Sequence, residues 1–175
     1  MFLRFGLRDL VIVTVALVLW WQLGPLSVGE GVLSDLFGVV AGVALGACAY
    51  VLHEWGHFAG ALASRSVVRP PEHLRSVYLF SYDSRRNSRR QFLVMSVGGF
   101  IVTGLAVWIA YAWLPDDQLA SRVARGLVLF LASLGVFIEF PLVFWALLRP
   151  TLPPVETFRT HREEQHAAAN AITGR

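Results

Sequence analysis

The chain has 175 residues, 55% of them hydrophobic and 15% charged, with a formal net charge of +3 and a mean hydropathy of +0.57. That profile excludes a soluble globular domain and indicates one integral membrane domain. The excess positive charge lies mostly between apolar runs, so it reads as membrane topology, and no nucleic-acid partner is expected.

Four apolar segments reach spanning length, which predicts an all-α integral membrane protein with four transmembrane helices. The first runs over about 10–26, with Trp20 and Trp21 near its far end. It has no small-x-small cleavage site and closes on Gly24-Pro25, so it is read as a retained anchor and not a signal peptide. The second spans about 36–63, opening near Ser34 or Asp35 as the expected cap. The third spans about 92–114, with Trp108, Tyr111 and Trp113 toward its end, and the fourth about 124–148. Residues 1–149 thus form the membrane domain, and 150–175 a polar cytoplasmic tail. Cys48 is the single cysteine and lies inside the second apolar run. It reads as a small buried hydrophobe, with no disulfide framework and no cysteine-based zinc site.

Arginine placement orients the bundle, since the chain has no lysine. Arg4 and Arg8 precede the first span; Arg65, Arg69, Arg75, Arg85, Arg86, Arg89 and Arg90 lie between the second and third; Arg149, Arg159, Arg162 and Arg175 follow the fourth. Only Arg122 and Arg125 fall on the other side. The positive-inside rule then places both termini and the 64–91 loop in the cytoplasm of a multi-pass protein of the cell (inner) membrane. Arg85, Arg86, Arg89 and Arg90 are placed to face anionic headgroups of the membrane lipids.

The second span carries His53-Glu54-Trp55-Gly56-His57. HExxH on a helix puts two imidazoles on one face, where both reach a single Zn²⁺ and the glutamate between them can take a proton from water. Two histidines and a glutamate in lipid are costly unless something satisfies them, which argues against accident. A third protein ligand is needed. The only acidic residue deep in another span is Glu139, two residues before Pro141. At 1.5 Å per residue it lies about 15 Å from the inner end, close to the depth of His53 at about 16 Å. The competing reading is a protonated glutamate hydrogen-bonded within the bundle. Asp83, Asp116, Asp117 and Glu156 fall in loops or the tail; His73, His161 and His166 fall in polar stretches, where solvated side chains are expected.

Gly38, Gly42 and Gly46 recur every fourth residue before the motif, and Gly56 and Gly60 extend the small-residue pattern through it. Such a stripe lets a second helix come close. The 64–91 loop holds Val77-Tyr78-Leu79-Phe80-Ser81-Tyr82, aromatic and β-prone, after Pro70-Pro71. A strand here, with Val77, Tyr78, Leu79 and Phe80 at its centre, could pair with an extended substrate. The alternative is an interfacial loop with its aromatics at the headgroups.

These residues resemble the site-2 protease family of intramembrane zinc metalloproteases. His53-Glu54-Trp55-Gly56-His57 is similar to the family's HExGH form, and Gly60 and Ala61 follow it as small residues. Ser96-Val97-Gly98-Gly99-Phe100 resembles only loosely the Ala-Gly-Pro-x-x-Asn-like opening of a family helix: Gly99 stands for the proline, and Val102 or Thr103 where asparagine is expected. The family's Pro-x-Asp-Gly-like ligand motif has no Asp-Gly counterpart, so Glu139 beside Pro141 is the substitute. The resemblance covers about 36–149. It implies a zinc endopeptidase acting on a transmembrane or membrane-proximal peptide, with His53, His57 and Glu139 on zinc and Glu54 as general base. The departures leave open a catalytically inactive relative, an accessory subunit of a larger membrane protein complex. A di-iron oxygenase or a metal transporter would need more buried ligands and polar residues than these spans carry.

Overall fold

A computed structural model describes residues 2–71, 73–149 and 151–152. The tail from 153 onward, with Glu156, His161 and His166, lies outside the described residues. Helix α1 spans Phe2–Leu23 and a short 3-10 turn, Pro25–Ser27, follows it; α2 spans Val32–Ala63 and α3 spans Arg89–Trp113. Helix α4 (Leu119–Leu134) runs through a π-helical turn, Gly135–Glu139, into α5 (Phe140–Leu148). Among the described residues, three helices are long and apolar enough to cross a membrane: α2, α3 and the continuous run Leu119–Leu148. Their outer faces keep Val39, Val43, Ile101, Leu105 and Phe137 exposed, the mark of a membrane protein.

Helix α2 begins earlier than the sequence suggests, and neither Ser34 nor Asp35 caps it. Its N-cap is Gly31 at φ 115°, a conformation that favours glycine. Ser34 instead sits one turn inside and donates its hydroxyl back to the carbonyls of Leu26 and Gly29, at 2.9 and 2.8 Å. Helix α3 starts on a capping box: Ser88 Oγ accepts from the Gln91 amide while the Gln91 side chain accepts from the Ser88 amide.

Helix α2 is the central element and touches α1, α3 and α4. Its glycines are contact points. A Cβ at Gly42 would lie 2.6 Å from both the Ala120 carbonyl oxygen and Val123 Cβ of α4. One at Gly56 would lie 2.6 Å from the Gly98 carbonyl oxygen of α3. The chain achieves backbone-to-backbone packing on two sides of the same helix because side chains are missing there. That closeness brings α3 against the HExxH turn.

Between α2 and α3 the chain forms a two-stranded antiparallel ribbon, β1 (Val68–Arg69) with β2 (Ser81–Tyr82), Val68 opposite Tyr82. Asn87 staples its base, accepting from the Val67 amide at 2.7 Å and donating to the Val67 and Asp83 carbonyls at 3.0 and 2.9 Å. The β-prone segment is strand only at its last two residues. Val77, Tyr78, Leu79 and Phe80 bend over the helices. The physical reason is that α2 side chains claim this segment's backbone groups and an α1 side chain claims those of the turn before it. Arg8 Nη1 donates to the carbonyls of Leu74 and Ser76, at 2.8 and 2.6 Å. The Tyr50 hydroxyl donates to the Val77 carbonyl at 3.1 Å. The Leu79 amide donates to Glu54 Oε2 at 3.1 Å.

Candidate metal centre

Helical spacing alone aims His53 and His57 at one another. Their rings meet edge-to-face with centroids 4.5 Å apart, and their Nε2 atoms are 3.1 Å apart. The third group arrives from the fourth helix run. Pro141 has no amide to donate, and the helix just before it widens into the π-helical turn that ends at Glu139. Glu139 Oε1 lies 3.1 Å from His53 Nε2, and Oε2 lies 3.4 Å from His57 Nε2. One ligand atom from each of the three residues falls within 4.8 Å of the others. His73 stands apart from this group and is exposed. Asp83 stabilises the turn before Asn87, and Asp116 pairs with Arg125 at 2.5 Å.

The distances suit a small tetrahedral cation. Zinc bonds to nitrogen and oxygen of about 2.0–2.2 Å put neighbouring ligand atoms about 3.3–3.5 Å apart. The two Nε2 atoms are 3.1 Å apart, with Glu139 Oε1 3.1 Å from that of His53 and Oε2 3.4 Å from that of His57, so the three groups stand near that spacing, the carboxylate facing one ring with each oxygen. The far side of each imidazole is committed elsewhere. His57 Nδ1 lies 3.1 Å from the Met95 carbonyl oxygen, which can only accept, so Nδ1 carries a proton and Nε2 is the ring atom left to take a metal. His53 Nδ1 lies 2.7 Å from Thr103 Oγ1, and a proton on Nδ1 there leaves its Nε2 equally free. Glu139 Oε2 is buried and, among the described residues, accepts no hydrogen bond. Two ring nitrogens and a carboxylate brought together in this way are a set that could hold a metal ion. Two neutral histidines and one carboxylate are the composition of a catalytic zinc site with a position left open.

That open side is real space. A cavity of about 310 Å³ reaches Glu54, His57 and Glu139 and, apart from Ser96, is otherwise walled by apolar and aromatic side chains. Its walls come from α3, α5 and the ribbon loop. Tyr82 in the wall is 5% exposed, and burial pushes its phenol above the ordinary tyrosine range. Gly99 of α3 faces the His57 ring so closely that any Cβ would collide with it. The position where the family pattern has proline therefore admits no side chain here.

Several residues around the site escape sequence reasoning. Thr103 was visible only as a departure from an expected asparagine, and the Met95 contact uses backbone. Asp9, 3% exposed in α1, accepts from Trp55 Nε1 at 2.9 Å and from Arg8 Nε at 2.7 Å. This ties α1 to a residue inside HExxH. A carboxylate adjoining an apolar run was the available signal. Arg8 appears in the sequence only as a topological charge, whereas it holds Asp9 and the 74–76 backbone together.

No protein-family model matches the chain, and no curated protein and no solved structure shows significant similarity to it.

Proposed function

We propose that the chain is an intramembrane zinc metalloprotease of site-2 protease type, cleaving a transmembrane or membrane-proximal peptide. The observation that carries the reading is the convergence of His53, His57 and Glu139 from two separate helix runs: the two Nε2 atoms are 3.1 Å apart, Glu139 Oε1 lies 3.1 Å from one and Oε2 3.4 Å from the other, and one ligand atom from each residue falls within 4.8 Å of the others. In this reading α1, α2, α3 and the α4–α5 run each cross the cell membrane, with both termini and the 64–91 loop in the cytoplasm.

His53, His57 and Glu139 hold the zinc, while Thr103 and the Met95 carbonyl fix the two rings. Bound zinc supplies Lewis acidity, which polarises a carbonyl and makes water easier to deprotonate. Glu54 faces the same cavity and takes the proton of the attacking water, then passes it to the departing amine. Its Oε2 accepts from the Leu79 amide, leaving Oε1 for that exchange. An extended peptide has the free edge of β2 beside the cavity as a pairing partner, with Tyr78 and Phe80 lining the cavity next to it.

A second reading, an inactive accessory subunit of a membrane complex, draws on the same Leu79 contact, which occupies one oxygen of the general base. Elemental analysis and one variant separate them. The protease reading expects about one zinc per chain in mild detergent, lost in His53→Ala, and Glu54→Gln that retains zinc but no longer cleaves. Cleavage persisting in purified Glu54→Gln overturns it. Undiminished cellular function of Glu54→Gln, with stable co-purification of a partner, supports the subunit.

A further inference from the structure

The cavity beside the metal centre has a composition of its own. Apart from Glu54, His57 and Glu139, its lining includes one polar residue from α3, Ser96, whose hydroxyl is spent on the Phe92 carbonyl at 3.0 Å. The rest is Phe92, Met95, Leu142 and three aromatics of the ribbon loop. At about 310 Å³ it sits at the lower end of ligand pockets, which run from about 300 to 1,000 Å³. An α-helix with its side chains is about 10–12 Å across and does not fit such a space. One large side chain on a locally unwound backbone does.

The wall is also joined to the metal centre by covalent bonds. Met95 presents its carbonyl to His57 Nδ1 and its side chain to the cavity. Leu142 lies one helical turn beyond Glu139 and lines the cavity with it. A group seated between Met95 and Leu142 is therefore within one residue's reach of the ligand atoms. The wall is mostly apolar: Ser96 Oγ is spent, the Tyr82 hydroxyl is a buried polar atom without a hydrogen-bond partner among the described residues, and the Tyr82 and Phe92 rings pack with centroids 6.0 Å apart. Tyr78, 56% exposed, stands at the mouth.

We infer that this cavity is a specificity pocket for one bulky apolar side chain, aromatic or branched aliphatic, on the residue flanking the scissile bond. The inference rests on the protease reading and goes beyond it by stating which peptides the site selects. A small or charged residue at that position leaves the cavity unfilled or strands a charge against Phe92 and Met95.

Two zinc-chelating probes test it without a known substrate: N-acetyl-phenylalanine hydroxamate and N-acetyl-alanine hydroxamate, which differ only in the side chain. Binding is titrated against the full chain in detergent, with zinc content measured on the same sample. The phenylalanine probe is expected to bind at least about tenfold more tightly, since each buried methylene contributes a factor of about ten or more in a fitted pocket. Leu142→Trp, which fills the cavity, should reduce that ratio to near one at unchanged zinc content. Met95→Ala keeps the backbone carbonyl and enlarges the cavity, so it should shift preference toward a naphthylalanine hydroxamate. This second variant keeps the test sound if the tryptophan variant fails to fold. Equal binding of the two probes by zinc-loaded protein overturns the pocket while leaving the protease reading standing. Zinc-loaded protein that binds neither probe also overturns the pocket. A folded wild-type chain that takes up no zinc overturns the protease reading and the pocket with it.

Discussion

Replacing Thr103 by valine isolates the hydrogen bond that orients His53. The two side chains have nearly the same shape, so the change exchanges a hydroxyl for a methyl and little else. Thr103 is 8% exposed and His53 4%, so water does not take over the lost contact. In metal-free protein the ring can move its proton to Nε2 and donate it to Glu139 Oε1, 3.1 Å away. Zinc binding forbids that escape, because Nε2 must then be a lone pair and the proton sits on Nδ1 facing the new methyl. A buried donor left unpaired costs about 1–3 kcal/mol. With about 1.4 kcal/mol per factor of ten, zinc affinity should fall roughly 5- to 150-fold, which overlaps the loss of about 10- to 100-fold typical when a ligand's outer partner is removed. The assay is competition with a chromogenic chelator in detergent, with Thr103→Ser alongside. Serine keeps the hydroxyl and should stay within a few-fold of wild type. Wild-type affinity in Thr103→Val, or equal losses in the serine and valine variants, would refute the orienting role.

Pro141→Ala restores an amide to the fourth helix run, so the π-helical turn can revert to α-helix. Taking up the extra residue rotates Glu139 by about 100° relative to α5; zinc affinity should drop at least tenfold with helicity by circular dichroism unchanged, and unaltered affinity would show that the turn does not aim Glu139. Gly42→Val pushes its side chain into the Ala120 carbonyl and Val123; backbone cannot give as a side chain can, so a loss of about 3 kcal/mol is expected, read as a lower thermal midpoint in detergent. Arg8→Ala removes the basic partner of buried Asp9 and releases the Leu74 and Ser76 carbonyls. It should destabilise the protein by about 3 kcal/mol and speed limited proteolysis within 74–79; an unchanged cleavage rate there would refute the tether.

The local and compositional features were legible in the sequence. Hydropathy marks the long helices because lipid-facing surfaces must be apolar. HExxH specifies a shared helix face by spacing alone, and Glu139 stands out as the only carboxylate deep in another span. The glycine stripe is an equally local signal, whereas the Ser88 and Gln91 capping box went unread and the third helix starts at Arg89, ahead of the expected 92. What the tertiary structure decided is how the helices are rotated against one another. A helix that is apolar nearly all round carries little periodicity to say which face turns inward. The contact of His53 with Thr103, fifty positions along the chain, is therefore invisible in either segment, as is the pairing of Asp9 with Trp55. The 77–80 segment makes the same point from the other side. Its β-propensity was plain, yet Tyr50 and Glu54, brought close only by packing, bond its backbone, Arg8 holds the Ser76 carbonyl just before it, and the segment bends over the site. Propensity belongs to the segment, whereas the partners of its backbone groups belong to the fold.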